Sequence, residues 1–77
     1  MSKVKANLLK VNLKKGNFKL AVYIALQVNA ENGSVVTSYA YDDVKEYLSA
    51  QQFAGYLSAL KEEGKYKPSS EGFGRVY

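Results

Sequence analysis

The sequence contains no cysteine, no histidine and no tryptophan, and it has one proline in 77 residues. Without cysteine the chain forms no disulfide and no thiolate metal site, and without histidine the usual zinc ligand sets are incomplete. A fold of this size then depends on packing or on oligomerisation for its stability. We therefore expect neither a metal nor any other cofactor.

Long apolar segments are also missing. The longest apolar run, at residues 20–26, is far shorter than the ~20 residues that cross a membrane as a helix. Residues 1–15 carry lysines throughout and no apolar stretch like that of a secretory signal. The length and a hydrophobic content of 47% predict one globular domain over residues 1–77. We expect this domain to be soluble and cytoplasmic, with no membrane partner.

Positive charge is concentrated at the two ends of the chain, although the net charge is only +4. Residues 1–19 contain no acid and six lysines. Residues 31–63 are acidic on balance, and the segment from Gly64 onward is basic again. This pattern indicates a polyanionic partner, because neutralising phosphates releases counterions. Charge alone is equally compatible with a lysine-rich solvated surface.

A central helix is predicted over residues 17–32. Asn17 is a favourable N-cap residue, and apolar residues cover most sides of the segment that follows, as in a helix at the centre of a core. Gly33 suits the left-handed conformation that ends many helices. The β-branched residues of 34–37 predict a short strand.

The segment 1–16 is a basic arm whose secondary structure the pattern leaves open between strand and helix. Val11 and Leu13 alternate with a polar residue, as in a strand, whereas Val4, Leu8 and Val11 also fit helical spacing. The asparagines of this segment weaken a helix. An extended arm is therefore slightly favoured.

Two further helices are predicted over residues 40–48 and 49–63. The first has a single apolar face. The second begins with Ser49-Ala50-Gln51-Gln52, which matches a capping box. Two helices separated by so short a break form a helix-turn-helix.

The last segment, residues 65–77, predicts a β-hairpin. A turn-rich stretch at 69–72 separates two short extended segments, and Pro68, which cannot donate to a strand ladder, suits an edge position. The fold expected from these elements is α+β, with three helices and a C-terminal β-hairpin.

The order helix, strand, helix, helix, hairpin resembles the winged helix-turn-helix domain over about residues 18–77. The most specific part is the spacing Ser-x-x-Gln-Phe-Ala-x-x-Leu-x-x-Leu-x-x-x-Gly-x-Tyr from Ser49 to Tyr66, which is similar to the recognition helix and following strand of MarR-like regulators. In that family the small residue, here Ala54, permits close helix packing, and the glycine, here Gly64, leads into the wing. The resemblance implies binding to double-stranded DNA, with the last helix in the major groove.

The same resemblance implies a set of DNA contacts on the last helix, the wing and the arm. They are Gln51, Gln52, Gly55, Ser58 and Lys61 on the helix, Lys65, Lys67 and Arg75 on the wing, and Lys14 and Lys15 on the arm. Glutamine bonds adenine through two hydrogen bonds, whereas the cations would contact phosphates. The helix has no basic residue at its front and ends in Glu62 and Glu63, which suits recognition of DNA shape more than tight base readout.

Catalysis has no support in the sequence. The side chains of Asp42 and Asp43 are separated by about 100° around a helix, Ser49 has a capping role, and no glycine-rich phosphate loop is present. We expect a protein that is not an enzyme and has no small-molecule substrate.

The expected function is that of a small DNA-binding transcriptional regulator or accessory factor, of a size that suits a phage- or plasmid-encoded protein. A homodimer would suit paired half-sites. The alternative is a winged-helix protein-interaction module or an inhibitor of a host protein, which a tyrosine-rich surface also suits.

Overall fold

The computed structural model describes residues 3–77 and shows an α+β fold, with four helices and a three-stranded antiparallel sheet in that range. The elements in chain order are α1 (Lys3–Lys15), α2 (Phe18–Asn29), β1 (Ser34–Val36), α3 (Thr37–Asp42), α4 (Ala50–Glu62), β2 (Tyr66–Ser70) and β3 (Phe73–Val76). None of these helices is long and apolar enough to cross a membrane. The fold thus has one helix more than the three expected, and the short strand predicted at 34–37 is present as β1, paired with β3 of the hairpin.

Helix α2 lies at the centre of the core. Ala21, Val22, Ala25 and Leu26 are completely buried, and α2 contacts α1, α3, α4 and two of the three strands. The helix is shorter than the predicted span of 17–32, because the chain is already extended at its C-cap residue.

The N-terminal arm is a helix, α1, and not the extended segment that its sequence pattern favours. Asn12 is buried, and its side-chain amide donates to the Leu8 carbonyl at 2.8 Å while its Oδ1 accepts from Asn17 Nδ2 at 3.2 Å. Asparagine disfavours helices because its side chain competes for backbone groups. Here that side chain is satisfied by the helix and by the turn that follows, so the propensity against a helix is overcome.

The Asn32–Gly33 pair forms a hairpin turn, and Gly33 does not end α2 as expected. Their φ angles of 54° and 81° have the sign that a type I′ turn requires. Glu31 and Ser34 exchange two backbone hydrogen bonds of 2.8 and 3.0 Å across this turn. An Asn-Gly pair suits both the end of a helix and a hairpin turn. Because α2 already ends at Asn29, the pair forms the turn here.

The helix predicted over residues 40–48 lies further toward the N-terminus and is shorter. Helix α3 ends at Asp42, and residues 43–49 lead to α4 through turns rather than through the immediate break that was expected. Aspartate is a poor helix former, and two adjacent aspartates occur at this point. The Tyr41 hydroxyl donates to the Leu48 carbonyl at 3.1 Å and stabilises the turn segment.

Helix α4 begins with the predicted capping box. Ser49 Oγ accepts from the Gln52 N–H at 3.1 Å, and Gln52 Oε1 accepts from the Ser49 N–H at 2.9 Å. Phe53 and Leu60 are the buried residues of this helix. Ala54, expected to pack closely between helices, is exposed instead.

The sheet has the order β1-β3-β2, and both strand pairs are antiparallel. The predicted hairpin is formed by β2 and β3, and β1 joins it with Ser34 opposite Arg75. Pro68 lies on the edge strand β2, and a bulge follows between Pro68 and Ser70. The bulge disrupts the ladder locally and bends the edge strand.

The buried ring of Tyr66 lies against Gly74, at a position that a Cβ atom on residue 74 would overlap. Because Tyr66 is in β2 and Gly74 is in β3, this contact packs the inner face of the hairpin. Burial also raises the pKa of the Tyr66 hydroxyl.

We expect Gly74→Ala to destabilise the fold by about 1–3 kcal/mol, because its methyl group must displace the buried Tyr66 ring. Gly55→Ala is the matched control, since Gly55 lies in α4 with open space around it. In a helix interior, alanine is more favourable than glycine by about 1 kcal/mol. Urea unfolding should show a lower free energy of unfolding for Gly74→Ala and a higher one for Gly55→Ala. An equal change in the two variants would contradict the Tyr66–Gly74 contact.

Candidate nucleic-acid interface

The outward side of α4 presents a row of small and polar residues. Gln51, Gly55, Ser58 and Lys61 are all exposed, as predicted for this helix. Gln52 is exposed too, but its side-chain oxygen is engaged in the capping box. Of the two glutamines, Gln51 is therefore the better placed to bond a ligand.

A groove of about 260 Å³ runs between α4 and the edge strand β2. Ser58 and Lys61 line it from the helix, and Tyr66 and Pro68 line it from the strand. Ala54, on the same side of α4, also borders this groove. The structure thus brings two of the predicted contacts together with two β2 residues that were not predicted as part of the site.

Lys67 and Arg75 occupy the other side of the sheet. They are opposite each other in the β2–β3 register, and they alternate with the inward-facing Tyr66 and Gly74. The Arg75 guanidinium extends toward β1, donating to Ser34 Oγ at 3.3 Å and to the Asn32 carbonyl at 3.4 Å. The predicted wing cations therefore do not border the α4 groove.

Lys65 lies at the base of the sheet within a small charge network. Its ammonium is 3.2 Å from Glu63 Oε1 and 5.4 Å from the centre of the Tyr23 ring. Lys19, on α2, pairs with the other oxygen of the Glu63 carboxylate. Hydrogen bonds from Lys19 and then Lys65 lower the pKa of the Glu63 carboxyl. Glu63 thus offsets part of the positive charge at this end of α4.

Lys14 and Lys15 are in the last turn of α1 and are exposed. Lys14 borders a surface depression together with Asp42, Asp43 and Glu46. Lys14 therefore lies near carboxylates at the end of α3 and in the turns that follow, without an ion pair to them among residues 3–77. The two lysines do not border the groove beside α4.

The Lys19–Glu63 pair could not be predicted from local patterns. The two residues are 44 positions apart, and neither occurs in a motif that would link them. Only the packing of α2 against α4 brings them together.

Comparison of the chain with protein-family models, with curated proteins and with solved structures finds no match.

The ion pairs of Glu63 give a pH-dependent prediction. Because the pKa of Glu63 is lowered in the folded state, its contribution to stability is present above the usual glutamate pKa of about 4.3 and is lost as the pH falls through the lowered value. Lys19→Met should move the pKa of Glu63 upward in a carbon-detected NMR titration. Lys45→Met, which removes a lysine paired with Asp42, is the control and should leave it unchanged. An unchanged pKa in Lys19→Met would contradict the Lys19–Glu63 pair.

Proposed function

We propose that this protein is a small winged-helix protein that binds double-stranded DNA through α4. The observation that carries the proposal is the separately capped α4, with exposed Gln51, Gly55, Ser58 and Lys61, beside a β2–β3 hairpin. A helix-turn-helix protein reads DNA by placing its second helix in the major groove. The strand order β1-β3-β2 supports the proposal, because it holds a hairpin next to that helix.

The outward side of α4 is suited to close approach. Ala54, Gly55 and Ser58 have short side chains and are exposed, so the helix backbone can come near the groove floor. Gln51, near the N-terminus of α4, would bond a base edge. Lys61, at the far end of the same helix, would contact a phosphate.

The charge distribution indicates moderate sequence selectivity. Glu62 and Glu63 lie at the end of α4, and Glu63 offsets Lys65 and Lys19. Few cations remain beside the groove, so phosphate attraction would come mainly from Lys61 and the lysines of α1. Binding led by DNA shape and deformability fits this distribution better than a dense set of base contacts.

The biological role that fits this proposal is a cytoplasmic transcriptional regulator or accessory factor acting as a homodimer. Two copies would place two α4 helices on paired half-sites. Helix α1 has an exposed apolar stripe formed by Val4, Leu8 and Val11, which supplies apolar surface for contact between copies.

A protein-interaction module is the second candidate, and one observation favours it. Tyr39 and Tyr47 are exposed around the acidic segment of α3 and its turn, and tyrosine is enriched in protein interfaces. A DNA-binding measurement should distinguish the two candidate functions, because the affinity of a protein for DNA falls steeply as the salt concentration rises.

A gel-shift titration of random duplex DNA across salt concentrations tests the proposal. We expect retardation at low salt, and Lys61→Ala should make the salt slope shallower by about 0.9, the value for one phosphate contact. Lys45→Ala is the control, because it also removes one exposed lysine but away from α4. Absence of retardation even at low salt would overturn DNA binding and favour the protein-interaction module.

Base readout by Gln51 is a separate prediction. In a selection on randomised duplexes, Gln51→Ala should relax the preference at one site position by about 1–3 kcal/mol. Gln52→Ala should lower helix stability by disrupting the capping box and should leave the base preference unchanged. A uniform loss of affinity over all sequences in Gln51→Ala would argue against base contact.

A further inference from the structure

The outer face of the sheet combines aromatic rings with cations. Phe73, Arg75 and Tyr77 follow one another at alternate positions at the end of the chain, and Lys67 lies opposite Arg75 on the neighbouring strand. We refer to these four residues as the outer-face cluster. Lys67, Phe73 and Arg75 lie on the side of the sheet away from the α4 groove, because Tyr66 and Gly74 next to them face inward, and Tyr77 directly follows β3.

The two aromatic rings of the outer-face cluster are largely open to solvent. Phe73 is 51% exposed and Tyr77 is 60% exposed, whereas the intervening Gly74 is buried and Val76 is half-buried. The helices α2, α3 and α4 pack against the sheet from its inner side. No element within residues 3–77 therefore covers these rings.

The two cations of the outer-face cluster have no carboxylate partner. Neither Lys67 nor Arg75 forms a salt bridge within the described range of 3–77. Arg75 is nevertheless held in place by hydrogen bonds to Ser34 and to the Asn32 carbonyl. Its guanidinium is thus oriented by neutral groups and keeps its full charge for an anionic ligand.

The spacing of the outer-face cluster suits a strand of nucleotides. Alternate residues of a strand are about 6.6 Å apart, and neighbouring strands are about 4.8 Å apart. Phe73 and Tyr77 therefore flank Arg75 along the chain, and Lys67 lies beside Arg75 on the neighbouring strand. Aromatic rings that receive successive bases, combined with cations that follow the backbone, are how proteins bind single strands without sequence preference.

We propose that the outer-face cluster is a binding site for single-stranded nucleic acid. Bases stack on Phe73 and on Tyr77, and the phosphates between them are neutralised by Arg75 and Lys67.

Charge and ring accessibility favour this ligand over the other candidates. In a duplex the bases are stacked on each other and offer no free ring face, so the aromatic residues would gain nothing from it. A second copy docking on the same face would bring Arg75 and Lys67 against their own counterparts, and like charges repel. A single strand supplies both free base faces and negative charge.

This inference is independent of the proposed duplex binding. The α4 groove and the outer-face cluster are on opposite sides of the sheet, so each is altered by variants that leave the other intact. Lys61→Ala affects the first, and Phe73→Ser or Tyr77→Ser affects the second.

The test is fluorescence anisotropy of the full chain with a labelled oligothymidylate of about 12 nucleotides, within the range of reported single-strand site sizes. Phe73→Ser and Tyr77→Ser should each weaken binding by about tenfold, as expected for loss of one stacked base. Tyr39→Ser is the matched control, because Tyr39 is similarly exposed (58%) but lies on α3. This substitution should leave the affinity for oligothymidylate unchanged. Phe73→Tyr should retain binding, since a tyrosine ring stacks equally well.

Arg75→Ala provides an electrostatic readout of the same site. It should make the salt slope of oligothymidylate binding shallower by about 0.7, the value for one phosphate of a single strand. Circular-dichroism melting of each variant establishes that it is folded.

Three results would overturn the inference. The first is no binding of oligothymidylate by the unaltered protein at low salt. The second is unchanged affinity in both Phe73→Ser and Tyr77→Ser. The third is a change in sedimentation of these variants without a change in affinity, which would identify the face as a contact between copies. Loss of duplex binding in Lys61→Ala with oligothymidylate binding retained would support two separate surfaces.

Discussion

The structure depends on the burial of α2 among the other elements. Ala21 and Ala25 are completely buried, and their small side chains let neighbouring helices approach closely. Through α2, the N-terminal helix, the α4 helix and the sheet share one core. In a domain of this size, which buries only about 60% of the surface of its unfolded chain, a second independent core is not available. The orientation of every candidate surface follows from its packing on this one helix.

That packing separates charges that are close in the sequence. Lys65 and Lys67 are two positions apart, yet Lys65 bonds Glu63 beside α2 whereas Lys67 faces solvent on the outer side of the sheet. The separation arises because Lys65 precedes β2, which begins at Tyr66, so the alternation that places Lys67 on the outer face does not extend to Lys65. One basic segment thereby contributes to two different surfaces, one beside α4 and one beyond the sheet.

The exposed side of α4 was predictable because helical spacing is a local property. The capping box sets where the helix begins, and the apolar positions Phe53 and Leu60 set which side is buried. Gln51, Gly55, Ser58 and Lys61 follow from these two facts. The position of Arg75 was not predictable in the same way, since its partners Ser34 and Asn32 are more than 40 positions away.

Short-range chemistry was enough to locate the α4 start, the β2–β3 hairpin and the edge position of Pro68. It failed where a residue type suits two structures equally. Asn12 is accommodated in a helix because the Leu8 carbonyl and Asn17 satisfy its side chain, and Asn32–Gly33 forms a turn because α2 has already ended. The pairing of β1 with β3, and therefore which sheet residues face the core and which face solvent, could be seen only in the tertiary structure. Contacts between distant segments require long stretches of chain to close around a shared core. A local sequence pattern does not indicate which distant segments come together.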